Sequence, residues 1–487
     1  MGVAQTLFRR SSASARLKRL AVLAAAGLAG CQAVGPDYLK PAAIVPATYK
    51  EVKGWKLATP RDGEAKGQWW RLFHDAELSR LEETVALSNE TVKESEASYR
   101  NALALISEAR AGLLPSLNFN PTLTRSGPPG GDRLDAEITG SWTLDIWGKV
   151  RRQIEQEGAA AQVSAADLDN AKLAAQSALA SAYVQVRAAD SLHDLYVDTV
   201  AEYQRSLAIT NNQYNAGTTA KSDVITAQAQ VLSAQAQLIN TDVQRHQSEH
   251  AIAVLMGKPP SEVSVSHRDL PETAPHPPVG LPSSLLERRP DIAAAERTMK
   301  QHNAAIGVAV AGYYPDLTLT GAYGYVGDPF IKQIAGTNPV WSYAATLAQP
   351  LFNGGLTTAQ VEAAKATYDQ SVATYRQTVL TAFQQVEDDL VAIRTYDREI
   401  KVQQEAVKIA QQAVQIALNE YKAGTQAFTA VVTAETTELS DRLSLLQTKQ
   451  SRLAASVALI VALGGGWDKV DLPRLAADAP PDASPTP

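Results

Sequence analysis

The chain holds a single cysteine in 487 residues, Cys31, so no disulfide can form within it. It also lacks a basic surplus. Its 45 Lys and Arg against 51 Asp and Glu leave a formal charge of −6, without the positive surface on which nucleic-acid binding rests. Catalytic motifs are missing too. "LGGGW", residues 463–467, has no Lys-Ser/Thr to make a phosphate loop, and its glycines read more simply as a helix stop. His246 and His250 are four apart, a spacing zinc accepts, but there is no HExxH arrangement and no third ligand. Both read as surface histidines. With no nucleophile, base and acid standing together, the chain does not read as an enzyme, and no cofactor or metal is expected. The apolar run "LAVLAAAGLAG", residues 20–30, is too short to cross a bilayer as a helix.

That run follows Arg9, Arg10, Arg16, Lys18 and Arg19, so residues 1–30 read as a secretory leader. Its removal takes the charge to about −11. The leader ends in "LAGC", residues 28–31, which resembles the bacterial lipobox, where cleavage precedes the cysteine and the thiol is acylated. Cys31 is thus expected to carry S-diacylglycerol and N-acyl chains. Gln32 after it, rather than Asp, resembles an outer-membrane address.

The remainder is written twice. "GLLPSL" (112–117) matches "GYYPDL" (312–317), "YNAGTTAKSD" (214–223) matches "YKAGTQAFTA" (421–430), and "VLMG" (254–257) matches "VALG" (461–464). Each copy reads as a helix, two strands, a very long helix, an AGT turn and a second long helix. The resulting plan is a collar segment at 31–75, a first repeat at 76–257 with strands near 114–124 and 136–146 and a turn at 215–218, and a linker at 258–282. A second repeat follows at 283–465, with strands near 315–326 and 339–350 and a turn at 422–425. Residues 466–487 form a second collar segment and a Pro/Ala/Asp-rich tail.

The long helices carry narrow seams. Ala175, Leu179, Ala182, Val186, Ala189, His193, Tyr196, Val200, Tyr203 and Leu207 alternate spacings of four and three, the stripe of a coiled coil. Val379, Phe383, Val386, Leu390, Ile393, Ile400 and Val407 repeat it, with breaks at Asp397 and Gln404. A helix over 148–215 would run on the order of 100 Å, with too little apolar face for a core of its own. It must pack laterally.

The strands follow a different period. Leu117, Phe119, Pro121 and Leu123 alternate with polar residues, as do Ala136, Ile138, Trp142, Leu144 and Ile146; the second copy does the same through Leu317, Leu319, Tyr323, Tyr325, Trp341, Tyr343, Ala345 and Leu347. Segments of this length and alternation match transmembrane strands of a β-barrel. A soluble sandwich with one wet face shares the pattern; the leader and Cys31 favour the membrane. Leu117, Phe119, Trp142, Leu144, Leu317, Leu319, Trp341 and Leu347 are expected to face lipid, with the loops at 125–133 and 327–337 outside. Four strands cannot close a barrel, open edges are not tolerated in lipid, and eight would be filled by side chains. A pore therefore asks for three chains or more.

"VGPDY" (34–38), "SWTLDIWGKVRR" (141–152), "LLERRPDIAAAE" (285–296), "QPLFNGG" (349–355) and "LGGGW", together with the lipobox and in this order, resemble the TolC-type outer-membrane efflux channels, in particular the NodT-like lipoprotein branch paired with resistance–nodulation–division pumps. The resemblance implies a mostly α protein with a membrane β-barrel. Three chains would form a twelve-stranded barrel among outer-membrane lipids and an α-helical barrel crossing the periplasm. It implies a passive exit duct for drugs or other small molecules, joined by a periplasmic adaptor to an inner-membrane transporter. A duct serving ABC-type protein secretion, and a non-conducting structural envelope lipoprotein, are the alternatives.

Each AGT turn then joins two antiparallel helices at the periplasmic end, where Gly217 and Gly424 supply the left-handed backbone. In the family an Asp after the first turn hydrogen-bonds a Tyr before the second and helps close the tip. Counted from the turn glycines, these are Asp223 and Tyr421. The family's Arg two residues after the second glycine is Gln426 here, and its two aperture aspartates are Ala430 and Thr433. A charged ring is therefore not expected. Phe428, Val431 and Val432 suggest an apolar constriction instead.

Overall fold

The computed structural model describes residues 33–40, 68–127, 132–272, 289–327 and 339–465. Cys31, the leader, much of the linker, the loop at 328–338 and the tail lie outside the described residues.

A short 3-10 turn, Trp69–Phe73, leads into α1, Ala76–Ser88, whose Asp75 cap accepts from the Glu77 and Leu78 amides at 2.8 and 3.1 Å. The first repeat continues with α2 (Glu90–Ala111), β1 (Ser116–Arg125), β2 (Asp132–Leu144), α3 (Lys149–Asn215) and α4 (Lys221–Leu255). The second has α5 (Pro290–Ala311), β3 (Asp316–Gly327), β4 (Pro339–Ala348), α6 (Leu356–Lys422) and α7 (Phe428–Ala462). Helices of 22, 67 and 35 residues recur in the same order, so one plan is built twice.

The strands form one antiparallel sheet in the order β1-β2-β3-β4. Its register pairs like with like. Phe119 stands opposite Ile138 and Ile138 opposite Tyr323, which faces Trp341; Trp142 stands opposite Leu319, and Leu144 opposite Leu317, which faces Leu347. Partners across an antiparallel sheet share a face. All eight residues expected to meet lipid therefore lie on one face, with Leu123, Ala136 and Tyr343. Ser116, Asn118, Thr139, Thr143, Thr318 and Ser342 share the other, where Thr143 and Thr318 are hydrogen-bonded at 3.1 Å. Among the described residues, β1 and β4 leave an unpaired edge each.

The rods pack as antiparallel hairpins, α3 with α4 and α6 with α7, and the hairpins meet along α3 and α7. On α3, Ala175, Leu179, Ala182, Val186, Ala189, Tyr196, Val200 and Tyr203 are buried as the seam requires; His193 and Leu207 are half-buried. The second seam keeps its frame down the length of α6. It is buried through Ile393, half-buried at Ile400 and Val407 and buried again at Val414 and Tyr421, each seven residues on, with Ala410 and Ala417 beside them; Val402, Ile409 and Ile416 lie outside it.

Two straps fix the rods. Under the sheet, residues 33–40 lie across α3 and α5: the Val34 amide donates to the Trp147 carbonyl at 3.0 Å, and Arg152 reaches the Val34 and Gly35 carbonyls and Asp37 at 3.0, 3.2 and 2.9 Å. Gly35 approaches so closely that a β-carbon there would lie 2.4 Å from Gly307 Cα. Midway down, residues 263–270 cross α3 and α4. Arg187, with 1% of its side chain exposed, bonds Glu77 at 2.8 Å, Asp190 at 3.1 Å, Tyr183 and the Ser266 carbonyl. Arg245 bonds Asp190 at 2.7 Å from the other side, so the charges buried under this strap are paired.

Candidate functional site

The lower end of the molecule is two turns of the same construction. Ala216, Gly217 and Thr218 donate their amides to the Asn212, Tyr214 and Gln213 carbonyls; Ala423, Gly424 and Thr425 donate to Asn419, Tyr421 and Glu420. Gly217 and Gly424 have φ of 75° and 73°, and no described atom lies within 4 Å of where a β-carbon would stand. Glycine is therefore required by the backbone conformation and not by crowding. Thr218 and Thr425 close each turn by donating their hydroxyls to the Gln213 and Glu420 carbonyls.

The turns are tied to each other. Gln213 Nε2 donates to the Tyr421 carbonyl at 3.0 Å. The Tyr421 hydroxyl donates to Thr219 Oγ1 at 3.4 Å, and that hydroxyl donates to Asp223 Oδ2 at 2.5 Å. Asp223 and Tyr421 thus come together, but the direct bond expected between them is replaced by a relay through Thr219. The physical reason is reach. Tyr421 is 4% exposed and its ring packs 5.2 Å from that of Phe428, which holds its hydroxyl on the Thr219 side.

The expected apolar constriction needs correction. Phe428 and Val431 are buried at 2% and 0% exposure among Ala227, Ala417 and Tyr421, with Leu207 and Leu418 against them. Assembly with further copies only adds contacts, so these two side chains cannot line an opening. They glue one hairpin to the other. Val432 is half-buried beside the same cluster, while Gln426 and Thr433 are exposed. Gln213 and Thr219 escaped the sequence reading; hydroxyls flanking a Gly turn were the one signal for Thr219.

Among the described residues no His, Cys, Asp or Glu cluster has the makings of a metal site. His246 Nδ1 lies 2.7 Å from the Asp242 carbonyl of its own helix. His193 and His267 pair edge-on, 5.9 Å between ring centres, with His267 bonded to Asp194 at 2.9 Å.

The sheet, the rods and the paired turns can be set beside known proteins. The family model described as outer membrane efflux protein matches residues 82–258 and 281–465, the two repeats in turn. The chain belongs to the outer membrane efflux protein family. Within it the chain is similar to Nodulation protein T of Rhizobium leguminosarum bv. trifolii, 29% identical over 91% of this chain and 96% of that one. It is equally similar to a toluene efflux pump outer membrane protein of Pseudomonas putida, TtgC, 29% identical over 90% of this chain and 93% of that one. The solved outer-membrane channel OprN superposes with a TM-score of 0.82 at 28% identity, covering 89% of this chain and 99% of that channel. Membership makes the chain an outer-membrane channel of efflux pumps that extends into the periplasm, and not an enzyme.

Proposed function

We propose that three copies of this chain close into one passive exit duct, with a twelve-stranded barrel above and a tube of helices below. The observation that carries the reading is a match between surfaces that a single chain leaves uncovered. Ile225, Leu232 and Ile239 on α4 lie 8, 15 and 22 residues after Gly217; Ile416, Ile409 and Val402 on α6 lie 8, 15 and 22 residues before Gly424. All six are more than half exposed. Helices rise equally per residue, so each pair stands at one height above the tip. The heptad spacing is that of a coiled-coil seam. The α4 stripe of one copy fits the α6 stripe of the next, and the β1 edge of one sheet fits the β4 edge of its neighbour. A head-to-tail contact of this kind closes into a ring.

The cargo is small molecules or drugs, in keeping with the toluene efflux relative, and the energy comes from a partner. That partner is an inner-membrane transporter of the resistance–nodulation–division type, reached through a periplasmic adaptor. The relay from Tyr421 through Thr219 to Asp223 acts as a latch that the adaptor releases. Cys31 carries the lipid; support comes from Val34, three residues on, which is bonded to Trp147 just below β2.

Paired cysteines test the assembly. Leu232→Cys combined with Ile409→Cys should give a covalent trimer on denaturing gels after oxidation in membranes, while either cysteine alone gives none. Only monomer from the double variant would contradict the ring.

A further inference from the structure

Above the tip, α7 carries an acid in its buried seam. Phe428, Val431, Glu435 and Glu438 step by three, four and three along the face turned to α3. Glu435 is 4% exposed. One of its oxygens accepts from the Ser206 hydroxyl of α3, and Oε2 is buried without a hydrogen-bond partner among the described residues.

Its surroundings do not neutralise a charge. From α3 come Glu202 and Tyr203, whose own hydroxyl is likewise buried without a partner among the described residues. Its own helix adds Glu438 and Arg442, but Arg442 is engaged by Glu438 at 2.5 Å and Glu202 at 3.6 Å. The α6 contribution is the uncharged Gln411, bonded to Glu438, and α4 offers Val231 and Ala234 beside Tyr203. Burial, then Glu202 and Glu438, push the Glu435 carboxyl up to about 7, with the Ser206 bond pulling the other way. Neutral, the carboxyl is tolerated between the rods; ionised, it keeps one oxygen buried without a donor among the described residues.

We propose that Glu435 is a proton-sensitive lock between the two helical hairpins: protonated, it leaves α3 and α7 packed at the tip, and ionised, it drives them apart. The inference rests on reading the tip as the entrance of the duct. Separation returns the carboxylate to water and to its ordinary value of 4.5, so the packed form binds more protons between that value and about 7. Packing is therefore undisturbed in acid. It weakens by up to roughly tenfold per pH unit through that window, and no further above it.

Spin labels on the exposed Asn212 of α3 and Thr429 of α7, in the assembled protein reconstituted in lipid, read the separation directly. The expected result is a distance that widens from pH 5 to 8 in the wild-type chain and stays at its pH 5 value in Glu435→Gln, which is neutral throughout. Ser206→Ala should open at the same or a lower pH and to a greater extent, because the lost hydrogen bond held the ionised carboxylate in the packed form. A wild-type distance indifferent to pH would overturn the lock, as would a Glu435→Gln profile that follows wild type or a Ser206→Ala variant that opens only at higher pH. Bilayer conductance of the same samples separates the two readings. Pores at both pH values with no label response remove the lock and keep the duct, whereas an absence of pores at either pH removes the duct itself.

Discussion

Tyr421 and Asp223 are joined through Thr219, with a long contact of 3.4 Å on the tyrosine side and a short one of 2.5 Å on the aspartate side. The Tyr421–Thr219 bond spans the two hairpins and resists their separation, while the Thr219–Asp223 bond lies within the first turn and fixes the Thr219 hydroxyl. A hydrogen bond to a charged group contributes about 1.5–3 kcal/mol and a neutral one about 0.5–1.5. Tyr421→Phe and Thr219→Val, which remove the bond between hairpins, should each raise the open fraction of single channels, and Asp223→Ala, which acts through Thr219, by no more than they do. Combining Asp223→Ala with Thr219→Val should add little to either, as in any shared interaction. A silent Thr219→Val beside an active Asp223→Ala would show that the relay does not act as one unit.

The register of the sheet puts Leu319 and Thr318 on opposite faces. Leu319→Arg should lower the folded, membrane-inserted fraction by roughly 2–4 kcal/mol if it sits near the midplane, while Thr318→Arg should be mild. Denaturant titration of the inserted protein measures both. Equal tolerance of the two substitutions would mean that the apolar face does not meet lipid.

The strap at 263–270 should respond to pH through His267. Its bond to Asp194, with Asp190 close by, raises the imidazole above 6.5 against a smaller cost of burial. A raised basic group stabilises fully below its unfolded value and loses that contribution as pH climbs through the higher folded one. The side chain is half exposed, so the effect is under about 1 kcal/mol. Hydrogen exchange of the strap, corrected for intrinsic rates, should quicken with rising pH in wild type and not in His267→Gln. Identical profiles would remove His267 as the cause.

Mass spectrometry of the mature protein should find Cys31 as the first residue, with acyl chains attached. Cys31→Ser should lose them and still insert, because one lipid anchor adds only marginally to a spanning barrel. An unmodified Cys31 in the membrane fraction would contradict the anchor.

Much of this was legible because side-chain periods are local. The alternation through Leu117 and Phe119, or Leu317 and Leu319, belongs to each strand alone, and pairing merely brings four apolar faces together. The duplicated AGT turns likewise announce themselves by glycines whose backbone few other residues adopt. The relay was not legible, since Thr219 joins Tyr421 only once two hairpins are laid side by side across about two hundred residues of chain. Phe428 and Val431 were misread for want of one count: the stripe they begin continues through Glu435 and Glu438, toward α3 rather than the axis. An apolar pattern search passes over acids, and so passed over Glu435. Ile400 and Val407 hold the α6 seam in the frame of Val414 and Tyr421, and the outward Val402, Ile409 and Ile416 stand two residues off it, outside a reading made along that seam.

The central claim is a water-filled path through an assembly of this chain. Single-channel recording of the reconstituted protein in a planar bilayer tests it most directly, with wild type beside Thr219→Val. The account predicts discrete conductance steps, longer or larger in Thr219→Val. Inserted protein that leaves the bilayer insulating in both cases would contradict it.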